Sequence, residues 1–225
     1  MKKGQTSTVR FKLQSKLMTA VVLLGLALAL IISILSYLSS KTALEEQYAT
    51  RVIMAAKSSA GYITTQDIAE ISSQNGNQTA TYQRVVDNLN AFRKSNELVY
   101  LYLMIPREDS MLILADTFIE GDDPANVLPY RAVLKYSDLA TTPEQLAAYQ
   151  KMYTDFSSNR ASDTPQITDN EYGYMYGAAA PVLDQNGKSV AMISTTISMQ
   201  EVRDYLNRYL LLIVALSTAT IALLI

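Results

Sequence analysis

The sequence predicts an α+β domain with a central antiparallel sheet and a long N-terminal helix, flanked by two transmembrane helices. Two apolar stretches without charged residues, Leu17–Ser40 and Tyr209–Ile225, enclose Lys41–Arg208, whose composition is that of an ordinary globular domain. Inside this middle part, helical periodicity comes first, and β-rich runs separated by turn residues follow. A chain with this layout places one folded domain on one side of a bilayer, held there by two helices.

The first apolar stretch is long enough to cross a membrane. It supplies 24 uncharged residues, whereas a bilayer core of ~30 Å requires about 20 residues of helix. The stretch at 209–225 supplies 17 residues and is followed by no polar flank, so we expect a second spanning helix that is cut before its end. The predicted organisation is cytoplasmic for residues 1–16, transmembrane for 17–40, extracytoplasmic for 41–208 and transmembrane for 209–225.

The distribution of charge sets the orientation and excludes one class of partner. Residues 1–16 hold five Lys or Arg and no acid, and positive flanks stay in the cytoplasm. A cleaved signal peptide is the alternative for Leu17–Ser40, but the apolar run is longer than the usual ~7–15 residues and no clear A-x-A site follows it. The whole chain carries −2 and residues 1–40 carry +5, which leaves −7 for the remainder. An acidic outer domain of this kind is not a nucleic-acid binder.

Helical patterns occupy five parts of the middle segment. After Ser40 the apolar residues recur every three or four positions, so the first membrane helix continues as a stalk to about Tyr62. A short helix follows from Thr64 or Thr65, and longer ones are predicted at Thr79–Ser95 and Pro143–Phe156. An exit helix begins after Ser198, where Glu201 completes a capping box, and it continues into the second membrane segment.

Two pairs of strands supply the predicted sheet. Leu98–Ile105 and Met111–Thr117 are separated by a short polar connection. Tyr172–Leu183 and Ser189–Ser198 flank an Asn-Gly turn. Two stretches are predicted to be loops because they are polar or contain Pro and Gly, namely Gly121–Pro129 and Ser157–Asn170.

The last predicted hairpin resembles that of Cache-type (PAS-like) extracytoplasmic sensor domains of bacterial transmembrane signalling receptors. The matching residues are Ala180-Pro181-Val182, Asp184, Gly187-Lys188 and Ile197-Ser198-Met199. Leu98–Asp116 is similar to the family's first hairpin, and the long stalk helix also fits. The resemblance implies a sheet of about five strands and the ligand-sensing part of a receptor whose output lies beyond Ile225. Chemoreceptors, sensor histidine kinases, nucleotide cyclases and phosphatases all carry such domains.

Tyrosines are the first candidates for a ligand pocket. Tyr100 and Tyr102 alternate along one predicted strand, and Tyr172, Tyr174 and Tyr176 alternate along another. Tyrosine offers an apolar ring and a hydroxyl, which suits the binding of a small polar molecule. One arrangement faces these two sets across a pocket. The alternative is that tyrosine favours strands and covers a half-exposed sheet.

Charged residues are the second set of candidates. Asp116 ends the second strand, and Arg131 could hold a ligand carboxylate with two hydrogen bonds. A surface salt bridge is the alternative for both. Many amine-binding members of the resembled family carry Asp two residues before the final Ser, where this chain has Thr196. The resemblance thus favours an amine or amino-acid ligand only if Asp116 or Asp169 takes the place of that Asp as a ligand contact.

The composition argues against an enzyme in residues 41–208. Without His or Cys the chain lacks the commonest general base, zinc ligand and thiol nucleophile. We therefore expect no catalytic residues, no cofactor and no metal site. The predicted function is small-molecule sensing in the bacterial cell membrane, by a homodimer joined through its stalk helices. The alternative is an extracytoplasmic protein-interaction or dimerisation module without a small ligand.

Overall fold

A computed structural model of the chain describes residues 5–170 and 173–222. The chain divides into two compact units, Met1–Glu45 with Val202–Ile225 and, separately, Glu46–Glu201. The first unit is formed by parts of two helices, and the second is formed by the sheet with its covering helices. The two units are described in turn.

The first unit consists of the N-terminal part of α1 (Gln5–Ala60) and nearly all of α6 (Gln200–Ala222). The two helices meet where the rings of Tyr37 and Tyr209 stack with centroids 6.3 Å apart. The Tyr209 hydroxyl donates a hydrogen bond to Ser36 Oγ at 3.1 Å. These contacts hold the two helices side by side within this unit.

One helix in the described part of the chain is long and apolar enough to cross a membrane. It is Lys16–Ala60, whose most apolar window has a mean hydropathy of 2.8 and no buried residues. The second predicted span, residues 209–225, lies partly outside the described residues, so the two-helix topology stays a prediction. The predicted cytoplasmic segment, residues 1–16, also lies largely outside the residues whose side chains are described.

The second unit is built on a six-stranded antiparallel sheet, which agrees with the predicted α+β class. The strands are β1 (Tyr100–Pro106), β2 (Ser110–Asp116), β3 (Val133–Lys135), β4 (Gln166–Asn170), β5 (Gly173–Leu183) and β6 (Ser189–Ser198). Their order in the sheet is β3-β2-β1-β6-β5-β4, so β1 of the first hairpin and β6 of the second hairpin are neighbours in the centre.

Threonines cap three of the helices in the second unit. The helices besides α1 and α6 are α2 (Thr65–Ile71), α3 (Ala80–Ser95), α4 (Tyr136–Leu139) and α5 (Pro143–Ser157). Thr64 and Asp67 form a reciprocal capping box at the start of α2. Thr79 and Thr142 accept hydrogen bonds from backbone N–H groups in the first turns of α3 and α5. A threonine cap of this kind stabilises a helix by about 1 kcal/mol.

The two faces of the sheet bury different partners. On one face, Thr195 of β6 is fully buried and its hydroxyl donates to the Val52 carbonyl of α1 at 3.1 Å. On the other face, a core cluster joins the sheet to α4 and α5. That cluster consists of Met104, Met111, Ile113, Tyr136, Met152, Ala179 and Met192. Because side chains alternate along a strand, one strand serves both faces.

Two strands lie where the sequence analysis predicted none. β4 falls inside the predicted loop Ser157–Asn170, and that prediction is wrong for its last five residues. The residues of β4 are mostly polar, and the strand forms because its backbone pairs with the edge of β5. Strand β3 is a three-residue edge strand paired with β2. The predicted start of the third long strand, Tyr172, lies outside the described residues.

Candidate ligand-binding site

A cavity of about 530 Å³ opens on the sheet face that α5 covers. Its walls come from β1, β2, β4, β5 and β6, from α5, and from the segments that connect β2 to α5 and α5 to β4. The size falls in the range of small-molecule sites, ~300–1,000 Å³. Its polar lining consists of Tyr100, Tyr102, Asp116, Asn126, Tyr149, Lys151, Asp155, Ser162, Thr164, Gln166, Thr168, Ser194 and Thr196.

Strand register sets the floor of this cavity. Tyr100 lies opposite Thr196, and Tyr102 lies opposite Ser194. Gly177 of β5 pairs with Thr196 from the other side. Paired residues share a sheet face, so the rings and hydroxyls of these residues point the same way. Small residues of β5 leave the space open, because a Cβ added to Gly177 would meet nothing closer than Thr196 Oγ1 at 3.7 Å.

Asp116 brings a carboxylate to the edge of this floor. Its two oxygens accept hydrogen bonds from the backbone N–H groups of Thr117 and Leu128, both at 2.8 Å. Burial raises the pKa of Asp116, and these two hydrogen bonds offset part of the increase. Among the salt bridges of the described residues, none involves Asp116. The cavity therefore contains a half-buried carboxylate that no direct salt bridge of the described residues balances, although the charge of Arg93 acts on it at longer range.

A buried arginine holds the segment that follows Asp116. Arg93 of α3 binds Asp122 through two parallel hydrogen bonds of 2.6 and 2.7 Å. It also donates to the carbonyl of Thr117 at 3.3 Å. The bond to Arg93 lowers the pKa of Asp122. Arg93 does not line the cavity, but it fixes the residue whose N–H binds the Asp116 carboxylate.

On the opposite wall, α5 contributes a neutralised ion pair. Lys151 donates to Asp155 at 2.7 Å and to Asp163 at 2.9 Å. The bond to Asp155 raises the pKa of Lys151, so this amine stays charged. Asp155 itself is buried and also lies 3.6 Å from Arg160. Lys151 is thus already shared between two carboxylates.

Two tyrosines that line the cavity, Tyr102 and Tyr149, remain protonated. Burial raises the pKa of Tyr102 far above its ordinary value, with a hydrogen bond to Ser194 acting in the opposite direction. Burial also raises the pKa of Tyr149, whose ring stacks on Tyr136 at 5.3 Å between centroids. These residues can offer a ligand a ring and a hydroxyl, but no phenolate.

Four of the eight predicted site residues line the cavity: Tyr100, Tyr102, Asp116 and Thr196. They come together because β1 pairs with both β2 and β6. Their function as ligand contacts stays a prediction.

The other four predicted residues lie elsewhere. Tyr176 pairs with Ile197, one position away from the Gly177–Thr196 pair, so Tyr174 and Tyr176 share the opposite face of the sheet. The predicted arrangement of tyrosines across one pocket is therefore wrong for these two. Asp169 is exposed on β4, opposite Tyr174 and outside the cavity lining.

Arg131 lies outside the cavity lining and contacts the end of α2 instead. Its backbone adopts the left-handed conformation with φ of 59°, and its Nη1 donates to the carbonyl of Ser72 at 2.7 Å. The guanidinium therefore satisfies carbonyls at the end of α2, where a helix leaves acceptors without partners.

The sequence analysis missed the contribution of α5 to the site. Tyr149, Lys151 and Asp155 line the cavity, and the helix that carries them was predicted. The signal was a polar pair, Lys151 and Asp155, at the i,i+4 spacing that favours an ion pair on one helix face. Among residues 5–170 and 173–222, no group of three or more His, Cys, Asp or Glu residues lies close enough together to hold a metal ion.

No family model and no curated protein matches this chain. The chain is similar to the sensor domain of DcuS from E. coli, with 13% identity and a TM-score of 0.43 over 72% of this chain and 97% of that one. It is also similar to the ligand-binding domain of the Campylobacter jejuni chemoreceptor Tlp3 in complex with L-valine. There the identity is 12% and the TM-score 0.44, over 84% of this chain and 65% of that one.

A further similar structure is the periplasmic sensory domain of the Campylobacter jejuni chemoreceptor Tlp1, with 12% identity and a TM-score of 0.39. This similarity covers 74% of this chain and 59% of that one. The chain thus spans less than two thirds of both Campylobacter domains. All three neighbours are described as sensor, sensory or ligand-binding domains. Similarity at this level does not identify a ligand for this chain.

Proposed function

We propose that the chain is the ligand-sensing and membrane portion of a bacterial transmembrane receptor. The second unit faces the cell exterior, binds a small molecule in the Asp116 cavity and passes the binding event through α1 and α6 to a cytoplasmic output domain. That output is of the chemoreceptor, histidine kinase or nucleotide cyclase type. The receptor acts as a homodimer joined through its stalk helices.

The observation that carries this proposal is the cavity with an unbalanced carboxylate. A buried carboxylate without a cation is costly, and proteins otherwise pair such groups or exclude them. The cavity is lined by the half-buried Asp116, which has no direct salt bridge among the described residues, and by Ser194 and Thr196. An extracytoplasmic module without a ligand has no use for an open polar cavity, because filling it with apolar side chains would increase stability.

The location of the cavity also suits a sensor. Ser194 and Thr196 line it, while Thr195 between them bonds the carbonyl of Val52 in α1 on the other face. A ligand that prefers one position of β6 would therefore bias the position of α1. Binding changes such an equilibrium only through a difference in affinity between two states.

Thermal unfolding of the full chain in lipid nanodiscs tests the proposal directly. We expect members of a library of small amines, amino acids and organic acids to raise the unfolding temperature of the second unit in a concentration-dependent way. If no compound in the library raises it, the domain does not sense a small molecule and the interaction module is the better explanation.

The variant Gly177→Leu tests whether the stabilising compound binds in this cavity. The added side chain would project into the cavity, since Gly177 shares a face with Thr196 and its φ is not in the left-handed region. The variant should fold and lose the response to the stabilising compound. An unchanged response in Gly177→Leu would place the binding site outside this cavity.

A further inference from the structure

We propose that the ligand of the Asp116 cavity is a net cation, an amine or quaternary ammonium compound without a carboxylate group. This inference rests on the proposed function, because it names the chemical class that the same cavity accepts. It concerns the sign and number of charged groups on the ligand.

The first step is the formal charge of the cavity. Among the described lining residues, the acidic and basic side chains are Asp116, Lys151 and Asp155. Lys151 and Asp155 neutralise each other at 2.7 Å. The remaining charge of the lining is that of Asp116. Arg93 acts on this charge from outside the lining but is already paired with Asp122, so the lining is negative. A ligand that balances it carries a net positive charge.

The second step is the hydrogen-bonding capacity left on Asp116. An ionised carboxylate offers about four acceptor positions. Two are occupied by the N–H groups of Thr117 and Leu128, one on each oxygen. A protonated amine can take the remaining positions with charge-assisted hydrogen bonds, which are roughly twice as strong as neutral ones.

The third step is the aromatic lining. Tyr100, Tyr102 and Tyr149 line the cavity together with Asp116, and a cation within ~6 Å of a tyrosine ring is attracted by its π face. The stacking of Tyr149 on Tyr136 holds one of these rings in place. Rings and a carboxylate together favour a positively charged nitrogen with carbon substituents.

The fourth step excludes a ligand carboxylate. Lys151 is the only cation in the described lining, and two of its three donors already bind Asp155 and Asp163. Arg93 and Arg131 are engaged with other partners outside the cavity. A ligand carboxylate would lie among Asp116 and Asp155 with no unshared cation to receive it, which like-charge repulsion disfavours.

Matched ligand pairs test the inference. Agmatine and arginine differ only by the carboxylate, as do cadaverine and lysine. Isothermal titration of the full chain in nanodiscs of zwitterionic lipid, with empty nanodiscs as blank, should show binding of agmatine or cadaverine. We expect each bound amine to bind at least about tenfold more tightly than its amino acid, because one desolvated, unpaired charge separates them.

Three substitutions locate the effect. Asp116→Asn should weaken amine binding by about tenfold or more, since the charge-assisted bond is lost. Asp87→Asn removes the same charge from an exposed position of α3 and should leave the affinity unchanged. Lys151→Gln should retain or strengthen amine binding, whereas it would abolish the binding of a carboxylate ligand.

The outcomes separate this inference from the proposed function. Equal or tighter binding of arginine and lysine, or unchanged amine affinity in Asp116→Asn, overturns the inference that the ligand is a cation. The proposed sensing function still holds in that case if any compound of the library raises the unfolding temperature. Failure of both amines to bind also overturns it. If Asp116→Asn does not fold, as circular dichroism would show, Lys151→Gln decides between the two ligand charges.

Discussion

The Arg93–Asp122 pair makes a sharp prediction about stability. Arg93→Met keeps a long apolar side chain but removes the guanidinium, and Asp122→Asn removes only the charge of its partner. The Arg93 side chain is 6% exposed and that of Asp122 is 22% exposed. Removing one member of a buried pair destabilises by about 3–5 kcal/mol, because the other charge is left without compensation.

The exposure of the two partners decides where in that range each variant falls. Asp122 reaches water, so Arg93→Met leaves an aspartate that is partly solvated and should cost about 3 kcal/mol. Asp122→Asn leaves the more deeply buried charge, although Arg93 keeps the carbonyls of Leu98 and Thr117 as acceptors. We expect a similar loss of about 3 kcal/mol for this variant.

A double-mutant cycle provides the assay. Urea unfolding of the full chain in detergent micelles, followed by circular dichroism, gives the free energy of unfolding for the wild type, both single variants and the double variant. The double variant should lose about 2–3 kcal/mol less than the two single losses added together. Losses below ~1 kcal/mol, or strictly additive losses, would refute the view that this pair is a buried and coupled anchor.

Three further predictions concern local contacts. Hydrogen bonds from Arg93 lower the pKa of Asp122. The stability that Asp122 contributes is therefore fully present above its pKa in the unfolded chain and is lost as the pH falls through its lower pKa in the folded protein. In an acid titration of the unfolding free energy, Asp122→Asn should reduce the pH dependence over that range. Thr195→Val should lower the unfolding free energy by about 1 kcal/mol, and Thr195→Ser should not, because only valine removes the hydroxyl bond to α1. Burial raises the pKa of Asp116, so the affinity for amines should fall at a mildly acidic pH that lies above the usual pKa range of carboxylates. An affinity that calorimetry finds to be the same at every pH would contradict this prediction.

The helices and long strands follow from patterns local in the sequence. α3 was predicted at Thr79–Ser95 and occupies Ala80–Ser95, because Thr79 caps it. The Asn-Gly turn between β5 and β6 and the hairpin of β1 and β2 were also readable from turn residues and alternation. Each of these elements depends on neighbours within a few positions of the chain.

The register of the strands and the path of the chain between distant elements could not be predicted from the sequence. The assignment of Tyr174 and Tyr176 to the cavity failed because a shift of one residue moves a side chain to the other face of a sheet. Arg131 was misassigned because the segment after β2 returns to α2, a contact 59 positions away in the chain. β4 was missed because its stability comes from pairing with β5 rather than from its own composition.

Whether the domain that contains the cavity faces the outside of the cell is tested directly by thiol labelling of intact bacteria. The chain has no cysteine, so Gln185→Cys in the exposed turn after β5 and Lys3→Cys near the N-terminus each carry a single thiol. A membrane-impermeant maleimide should label Gln185→Cys in intact cells and Lys3→Cys only after permeabilisation. Labelling of Lys3→Cys with protection of Gln185→Cys would contradict an extracytoplasmic sensor.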